Sequence, residues 1–205
     1  NVDPKHVDIY VKVDEGKKYY IRNIKWVGNT VYSTDYLSRL LDMKKGDVYN
    51  QTYLNKRLSQ DEDAVGNAYW NNGYLFYNLQ PTEVNIVGDS IDLEMRITEG
   101  QQARINRVKI NGNDRLYENV VRRELRTKPG DLFSKEALQR SARELASMGH
   151  FDPEAINPVP EPNYEDGTVD INYNLKQKSN DQVELSLGWG QTGVIGRVGL
   201  KLNNF

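Results

Sequence analysis

The stretch GWGQTG, Gly188 to Gly193, has the G-x-G-x-x-G spacing with which some enzymes cradle the pyrophosphate of a dinucleotide. That chemistry needs the loop to lead from a strand into a helix, with an acidic residue about twenty positions further on. Here Val194 to Leu202 continues as an alternating strand pattern, and no acidic residue follows Gly193. The glycines therefore read as places where a strand wall is thin, bends or lies close to other backbone. Other reactive residue types are sparse. His6 and His150 are the only histidines and fall in different segments, and His150 reads as packing or capping. The run Asp61-Glu62-Asp63 lacks the glycine-containing loop of a calcium site and reads as a solvated helix face. Ser33 and Ser134 precede helical patterns, where capping accounts for them. Cysteine is absent, which excludes thiol catalysis, disulfides and thiolate metal sites. The residues thus offer no catalytic constellation, no metal site and no cofactor loop, so no small-molecule substrate is expected.

The positioning elements follow from composition and periodicity. A hydrophobic content of 38% over 205 residues is low for one large core and suggests small modules in series. Lys and Arg number 27 against 29 Asp and Glu, with no basic run to attract phosphates, so nucleic acid is not an expected partner. No run of about eighteen apolar residues is present for a spanning helix. The first residues, NVDPKHVDIY, lack the features of a signal peptide and read as the middle of a longer protein.

Internal repetition organises the rest. IRNIKWVGN from Ile21 returns as INRVKINGN from Ile105, and KKGDVYN from Lys44 returns as KPGDLFS from Lys128, both at a shift of 84 residues. VDIYVKVDEG at 7 to 16, IDLEMRITEG at 91 to 100 and VDINYNLKQK at 169 to 178 alternate apolar and polar residues, the period of a strand with one buried face. Each repeat then reads as β-α-α-β-β. A strand, Tyr20 to Val27 or Arg104 to Ile110, ends in a Gly-Asn turn and leads to a first helix with Tyr36, Leu37, Leu40 and Leu41, or Leu116, Val120, Val121 and Leu125, on its apolar stripe. Gly46 or Pro129-Gly130 breaks the chain, and Asn50 or Ser134 caps a second helix. Two strands joined by a tight turn follow: Tyr74 to Val87 with Ile91 to Thr98, and Ala155 to Pro160 with Val169 to Leu175. The second helix of the first repeat carries 8 extra residues, so it is expected to be longer or bulged.

These repeats resemble POTRA domains, the periplasmic modules of outer-membrane assembly and secretion pores. The marks are Gly28, Gly46, Asp47, Gly73 and Tyr74 in the first repeat and Gly112, Gly130, Asp131, Gly149 and Phe151 in the second. The resemblance implies an α+β fold of tandem modules, each with two helices on a three-stranded mixed sheet, in a BamA-like outer-membrane assembly factor without enzyme activity or cofactor. Module boundaries are expected at 19–100 and 102–178, with residues 1–16 ending in the last strand of a preceding module. Related possibilities are a TamA-like translocation factor or a two-partner secretion transporter, and a different one is a soluble binding protein of α/β repeats.

Residues 183–205 alternate again, with Leu185, Leu187, Trp189, Val198, Leu200 and Leu202 on one face and polar residues or glycine on the other. Apolar-out alternation at about ten residues per strand is the pattern of an outer-membrane barrel, so these are expected to face lipid in its first hairpin. Two strands cannot close a barrel, and the segment is expected to be disordered, to pair with another copy or to lie along a module's sheet edge. The resemblance implies that the modules hold unfolded outer-membrane proteins and dock accessory lipoproteins on the periplasmic side of the membrane. An incoming strand is expected to add to Tyr74, Leu75, Phe76, Tyr77, Asn78 and Leu79, read as the start of an edge strand, against the plainer reading that these rings seal a helix against the sheet. The matching strand of the second module holds Pro158, Pro160 and Pro162, which lack donors, and is expected to be a poor template.

Overall fold

The structure is a computed structural model that describes residues 10–12, 17–114, 116–178, 182–190 and 193–201. The strand expected over 7–16 lies outside these apart from Tyr10 to Lys12, which carry no strand. The chain divides into two compact units, one running through Tyr69 and including Phe76–Gly100, the other joining Trp70–Leu75 to the chain from Gln101 onward.

In the first unit, β1 (Tyr20–Val27) leads to α1 (Thr34–Leu41), whose N-cap Ser33 accepts from the Tyr36 amide. Then come α2 (Gln51–Asn55), a π-helical turn (Lys56–Gln60) and α3 (Val65–Trp70). The strands β2 (Asn78–Val87) and β3 (Ser90–Thr98) complete it. The sheet order is β1-β3-β2, with β1 parallel and β2 antiparallel to the central β3. The helical crossover between β1 and β3 makes that pair parallel, whereas a short turn makes β2 and β3 antiparallel. Ile21, Ile91, Leu93 and Met95 from the sheet meet Leu37, Leu41, Leu54 and Tyr69 from the helices, all at most 2% exposed. Each such burial contributes about 1.5–3 kcal/mol relative to an exposed side chain.

The extra residues of the second helix are absorbed by the π turn and a break before α3. Arg57, within the π turn, holds that break closed: its guanidinium donates to Asp61 at 3.1 Å, to Asp63 at 2.7 Å and to the Leu40 carbonyl. The acidic run is therefore partly an ion-pair anchor for a buried arginine rather than a free solvated helix face, because Arg57, at 9% exposed, requires compensating charge.

The second unit repeats the plan with β4 (Arg104–Asn111), α4 (Glu118–Glu124), α5 (Lys135–Ser147), β5 (Asn157–Asn163) and β6 (Thr168–Asn174). Its sheet order is β4-β6-β5, again with one parallel and one antiparallel pair. A 3-10 turn at Pro153–Ala155 delays β5 by two residues relative to the strand expected from Ala155.

The last described strands, β7 (Gln182–Gly190) and β8 (Gly193–Lys201), pair with each other as a separate two-stranded antiparallel sheet. They add to neither three-stranded sheet, so of the three expected outcomes the one along a module's sheet edge is not seen among the described residues. Val183 stands opposite Leu200, Leu185 opposite Val198, and Trp189 opposite Val194. Leu187 stands opposite Gly196 and Gly188 opposite Ile195, so glycine interrupts the otherwise apolar pairing.

Candidate polypeptide-binding edge

The glycine and aspartate marks build a strap along one edge of each sheet. In the first unit the Ile21 amide donates to the Asp47 carbonyl at 2.9 Å, and the Gly46 amide donates back to the Ile21 carbonyl at 2.7 Å. In the second unit Ile105, Asp131 and Gly130 repeat this at 2.9 and 2.7 Å. Gly46 and Gly130 have φ of 94° and 92°, a conformation that side chains disfavour, which is why glycine opens the strap. The Asp47 carboxylate accepts from the Lys44 amide at 2.9 Å and fixes the turn. Gly28 and Gly112 serve a different need: a Cβ on either would overlap the carbonyl oxygen of Ile97 in β3 or of Leu175 just past β6. Gly73 and Gly149 end helical segments with φ of 87° and 73°, and Phe151, fully buried, forms a β-bridge to Gln177. His150 beside it is exposed and uses its backbone carbonyl, which accepts from Lys178 at 2.9 Å, so its ring does not pack in the core.

With β1 and β4 strapped, β2 and β5 form the other edges, and prolines fix which backbone groups they present. In an antiparallel ladder, alternate residues turn both N–H and C=O toward the neighbour and the residues between turn theirs away. A proline has no N–H, so in an unbroken ladder it takes an away-turned position. Pro81, opposite Met95, therefore sets the phase of β2: Leu79, Pro81 and Glu83 face away, while Asn78, Gln80 and Thr82 bond β3. The outer edge of β2 then carries the amides of Leu79 and Glu83 and the carbonyls of all three. In β5 the prolines 158, 160 and 162 stand opposite Tyr173, Ile171 and Val169, so all three away-turned positions lack a donor. That edge presents only carbonyls.

The expected edge segment needs a correction. β2 begins at Asn78, and Tyr74, Leu75, Phe76 and Tyr77 precede it in a turn. Aromatic β-propensity suggested a strand there, but tertiary packing takes these residues. Tyr77 stacks on Tyr69 at 4.2 Å between ring centroids and 11° between planes, and Tyr69 meets Tyr32 edge-on at 4.9 Å. Burial pushes the phenol pKa of Tyr77 and Tyr69 well up, as it does for aromatic groups sealing a core. Of the six positions, Asn78 and Leu79 are on the strand, and Leu79 is the one that faces outward.

Glu99, which the sequence did not single out, organises the end of the first unit. Its carboxylate is 8% exposed and accepts from the Thr30 amide at 3.0 Å, the Val31 amide at 3.0 Å and the Tyr69 hydroxyl at 2.9 Å. Burial alone would raise its pKa, yet these donors outweigh burial and hold it below the usual carboxylate range. At the sheet's other end the Tyr49 hydroxyl donates to Glu83 at 2.8 Å, and burial with that contact pushes its pKa up to about 12. Among the described residues no group of His, Asp and Glu could hold a metal ion. The arrangement suits backbone recognition: a strand can add where amides and carbonyls alternate along β2.

Of the positions expected to face lipid, Leu185, Leu187, Trp189, Val198 and Leu200 lie on β7 and β8, and Leu202 lies outside the described residues. No described helix is long and apolar enough to cross a membrane.

Comparison with known proteins follows the same lines. The family model described as "POTRA: Surface antigen variable number repeat" matches residues 19–100 and 103–178. The outer membrane protein assembly factor BamA of Neisseria meningitidis is 30% identical across 100% of this chain and 25% of the relative. A putative outer membrane protein assembly factor of Treponema pallidum is 27% identical across 96% of this chain and 23% of its own length. The chain thus spans about a quarter of the length of these relatives. Among solved structures, BamA of Haemophilus ducreyi lacking POTRA domains 1-3 aligns over 89% of this chain and 34% of that one, with TM-score 0.67 and 21% identity. POTRA3-5 of Haemophilus influenzae BamA aligns over 77% of this chain and 61% of that one, with TM-score 0.64 and 18% identity. At those identities the structural likeness speaks for the fold.

Proposed function

The chain belongs to the POTRA family, and from that premise we propose that it is the periplasmic region of a BamA-like outer-membrane protein assembly factor, reaching into the first hairpin of the barrel. On this reading, residues 19–100 and 102–178 are two modules and 183–205 begins the barrel wall. Its work is non-enzymatic: unfolded outer-membrane proteins are held by strand addition, accessory lipoproteins dock on the modules, and clients pass to the barrel, folding under their own free energy. Similarity to assembly factors along the whole chain favours this role over a TamA-like or secretion transporter.

The observation that carries the reading is the uncovered edge of β2, where Leu79 and Glu83 keep outward amides while the opposite edge is strapped. The test is Leu79→Pro, measured by calorimetric titration with a synthetic barrel-strand peptide. Because the Leu79 amide lies outside the β2–β3 ladder, the substitution leaves the urea midpoint close to that of the parent. Affinity falls about fivefold, the worth of one hydrogen bond. Unchanged affinity contradicts strand addition at this edge.

A further inference from the structure

The chain holds three dipeptides that can close a cyclic imide, Asn72-Gly73, Asn111-Gly112 and Asp166-Gly167. In each, the glycine nitrogen can attack the side-chain carbonyl carbon of the residue before it, because no Cβ on the glycine hinders the approach, and this is one source of the lability of asparagine. In an unfolded chain the two Asn-Gly pairs are chemically alike. All three pairs belong to the second compact unit, and that unit holds each of them differently.

Asn111 ends β4 and is bound at both its polar groups. Its carboxamide donates to the Asn174 side chain at 3.0 Å, and its carbonyl accepts from the Leu175 amide at 2.9 Å. Gly112 lies so close to the Leu175 carbonyl that a methyl group does not fit on it. Ring closure turns the backbone between the side chain and the glycine nitrogen, so both hydrogen bonds must open and a packed strand must shift. Asp166 is protected by other means. The Gly167 amide donates to the Asn163 carbonyl at 3.0 Å, so the attacking nitrogen is engaged. The Asp166 carboxylate accepts from the Thr168 hydroxyl at 2.7 Å and the Thr168 amide at 2.9 Å, bonds that hold its pKa below the usual range. Imide formation at aspartate draws on the neutral acid, whose share is correspondingly small.

Asn72 stands instead in the turn between α3 and β2, exposed to water and outside both sheets. Its carbonyl accepts from Gln102 Nε2 at 2.9 Å, which draws charge from the peptide unit and favours loss of the Gly73 amide proton. The Leu175 bond polarises the peptide after Asn111 in the same way, so polarisation does not separate the two sites. Backbone freedom does. Gln102 is exposed, and its flexible side chain follows the Asn72 carbonyl as it turns. The Gly73 carbonyl accepts from the Leu75 amide at 2.8 Å and the Ala103 amide at 2.7 Å, which keeps the attacking residue in place.

We propose that Asn72 is a deamidation site of the folded protein, converting to isoaspartate and aspartate while Asn111 and Asp166 persist. The Gly73 nitrogen bonds to the Asn72 Cγ, the Cγ–Nδ2 bond breaks, and ammonia leaves with the amide proton. Water then opens the imide: addition at Cγ gives aspartate, and addition at the main-chain carbonyl gives isoaspartate, whose backbone runs through the side-chain carbon. The product replaces a neutral amide by a carboxylate and lengthens the main chain at a junction. On one side the Asn71 side chain accepts from the Glu136 amide at the start of α5 at 2.9 Å, and on the other the Gly73 carbonyl holds Ala103 ahead of β4. The site is independent of the assembly-factor reading and goes beyond it.

The test ages the whole chain in mildly alkaline buffer at body temperature, folded and in parallel unfolded in concentrated urea, and locates deamidation by proteolysis and mass spectrometry. In the folded chain Asn72 reacts about tenfold faster than Asn111, a scale set by opening the two bonds that hold Asn111. Asp166 isomerises more slowly than Asn72 reacts. In urea the two asparagines react at equal rates. Asn72→Gln, which keeps the amide but requires a larger ring, abolishes the signal at this site and leaves that of Asn111 unchanged. Aged protein isolated by anion exchange exchanges its Ala103 and Glu136 amides faster than fresh protein, and unchanged exchange contradicts the structural reach claimed for the product. Equal rates at Asn72 and Asn111 in the folded chain, or isomerisation of Asp166 ahead of Asn72, overturns the proposal. So does a folded chain in which neither asparagine reacts while both react in urea. A preference for Asn72 that persists in urea also overturns it, because local sequence and not the fold would then set the rate.

Discussion

Replacing Glu99 by glutamine isolates what one buried carboxylate does for the first module. Its Oε1 accepts from the amides of Thr30 and Val31 and from the Tyr69 hydroxyl, while Oε2 accepts from the Thr30 hydroxyl at 2.5 Å and from Val31 at 3.2 Å. Glutamine keeps the shape and can leave its oxygen at the Oε1 position, so three bonds survive without their charge assistance. The Thr30 hydroxyl can turn to accept from the new amide. A hydrogen bond to a charged group is worth roughly 1 kcal/mol more than a neutral one, and of the three donors only that of Tyr69 comes from a fully buried residue. The sum is a loss of about 2 kcal/mol at neutral pH, which for a domain of this size lowers Tm by roughly 10 °C. Glu99→Ala, which also removes the acceptor of the Tyr69 hydroxyl, costs about 3 kcal/mol. The assay is equilibrium urea unfolding followed through Trp26, which is 7% exposed in the same module. The pH dependence supplies a second check. Because the folded pKa lies below the ordinary value of 4.5, the stabilisation is complete above that value and is lost as pH falls through the folded pKa. The gap between parent and Glu99→Gln is therefore widest at neutral pH and closes in acid. A variant as stable as the parent at pH 7, or a gap unchanged well below pH 4.5, refutes the reasoning.

Two further substitutions probe the repeat geometry. Gly112→Ala places a methyl group against the Leu175 carbonyl at a φ of 81°, and it destabilises the second module by at least about 2 kcal/mol in thermal unfolding, as Gly28→Ala does the first. Restoring donors to β5 by converting prolines 158, 160 and 162 to valine creates the template that this edge lacks, so barrel-strand peptides gain a second site by titration and self-association rises in sedimentation.

The repeat was legible because it recurs at one offset of 84 residues. Cap residues such as Ser33, Asn50 and Ser134 were legible too, since their short side chains bond amides only three positions away. Nonlocal contacts were not. The segment Tyr74 to Tyr77 has strand composition, but Tyr77 goes to a ring stack with Tyr69 that forms only once α3 is in place. Glu99 reads locally as the polar end of a strand, and its donors at Thr30 and Val31 lie some 69 residues away. The extra residues of the second helix announced an irregularity but not its form, since the Arg57 contact to the Leu40 carbonyl that accompanies the π turn spans 17 residues.

Amide hydrogen exchange along β2 tests the uncovered edge most directly. In the free chain the amides of Leu79 and Glu83 exchange quickly while those of Gln80 and Thr82 are protected by the ladder with β3, and a saturating barrel-strand peptide slows Leu79 and Glu83 selectively. Protection of Leu79 and Glu83 without peptide, or bound peptide that leaves both fast, contradicts strand addition on this edge.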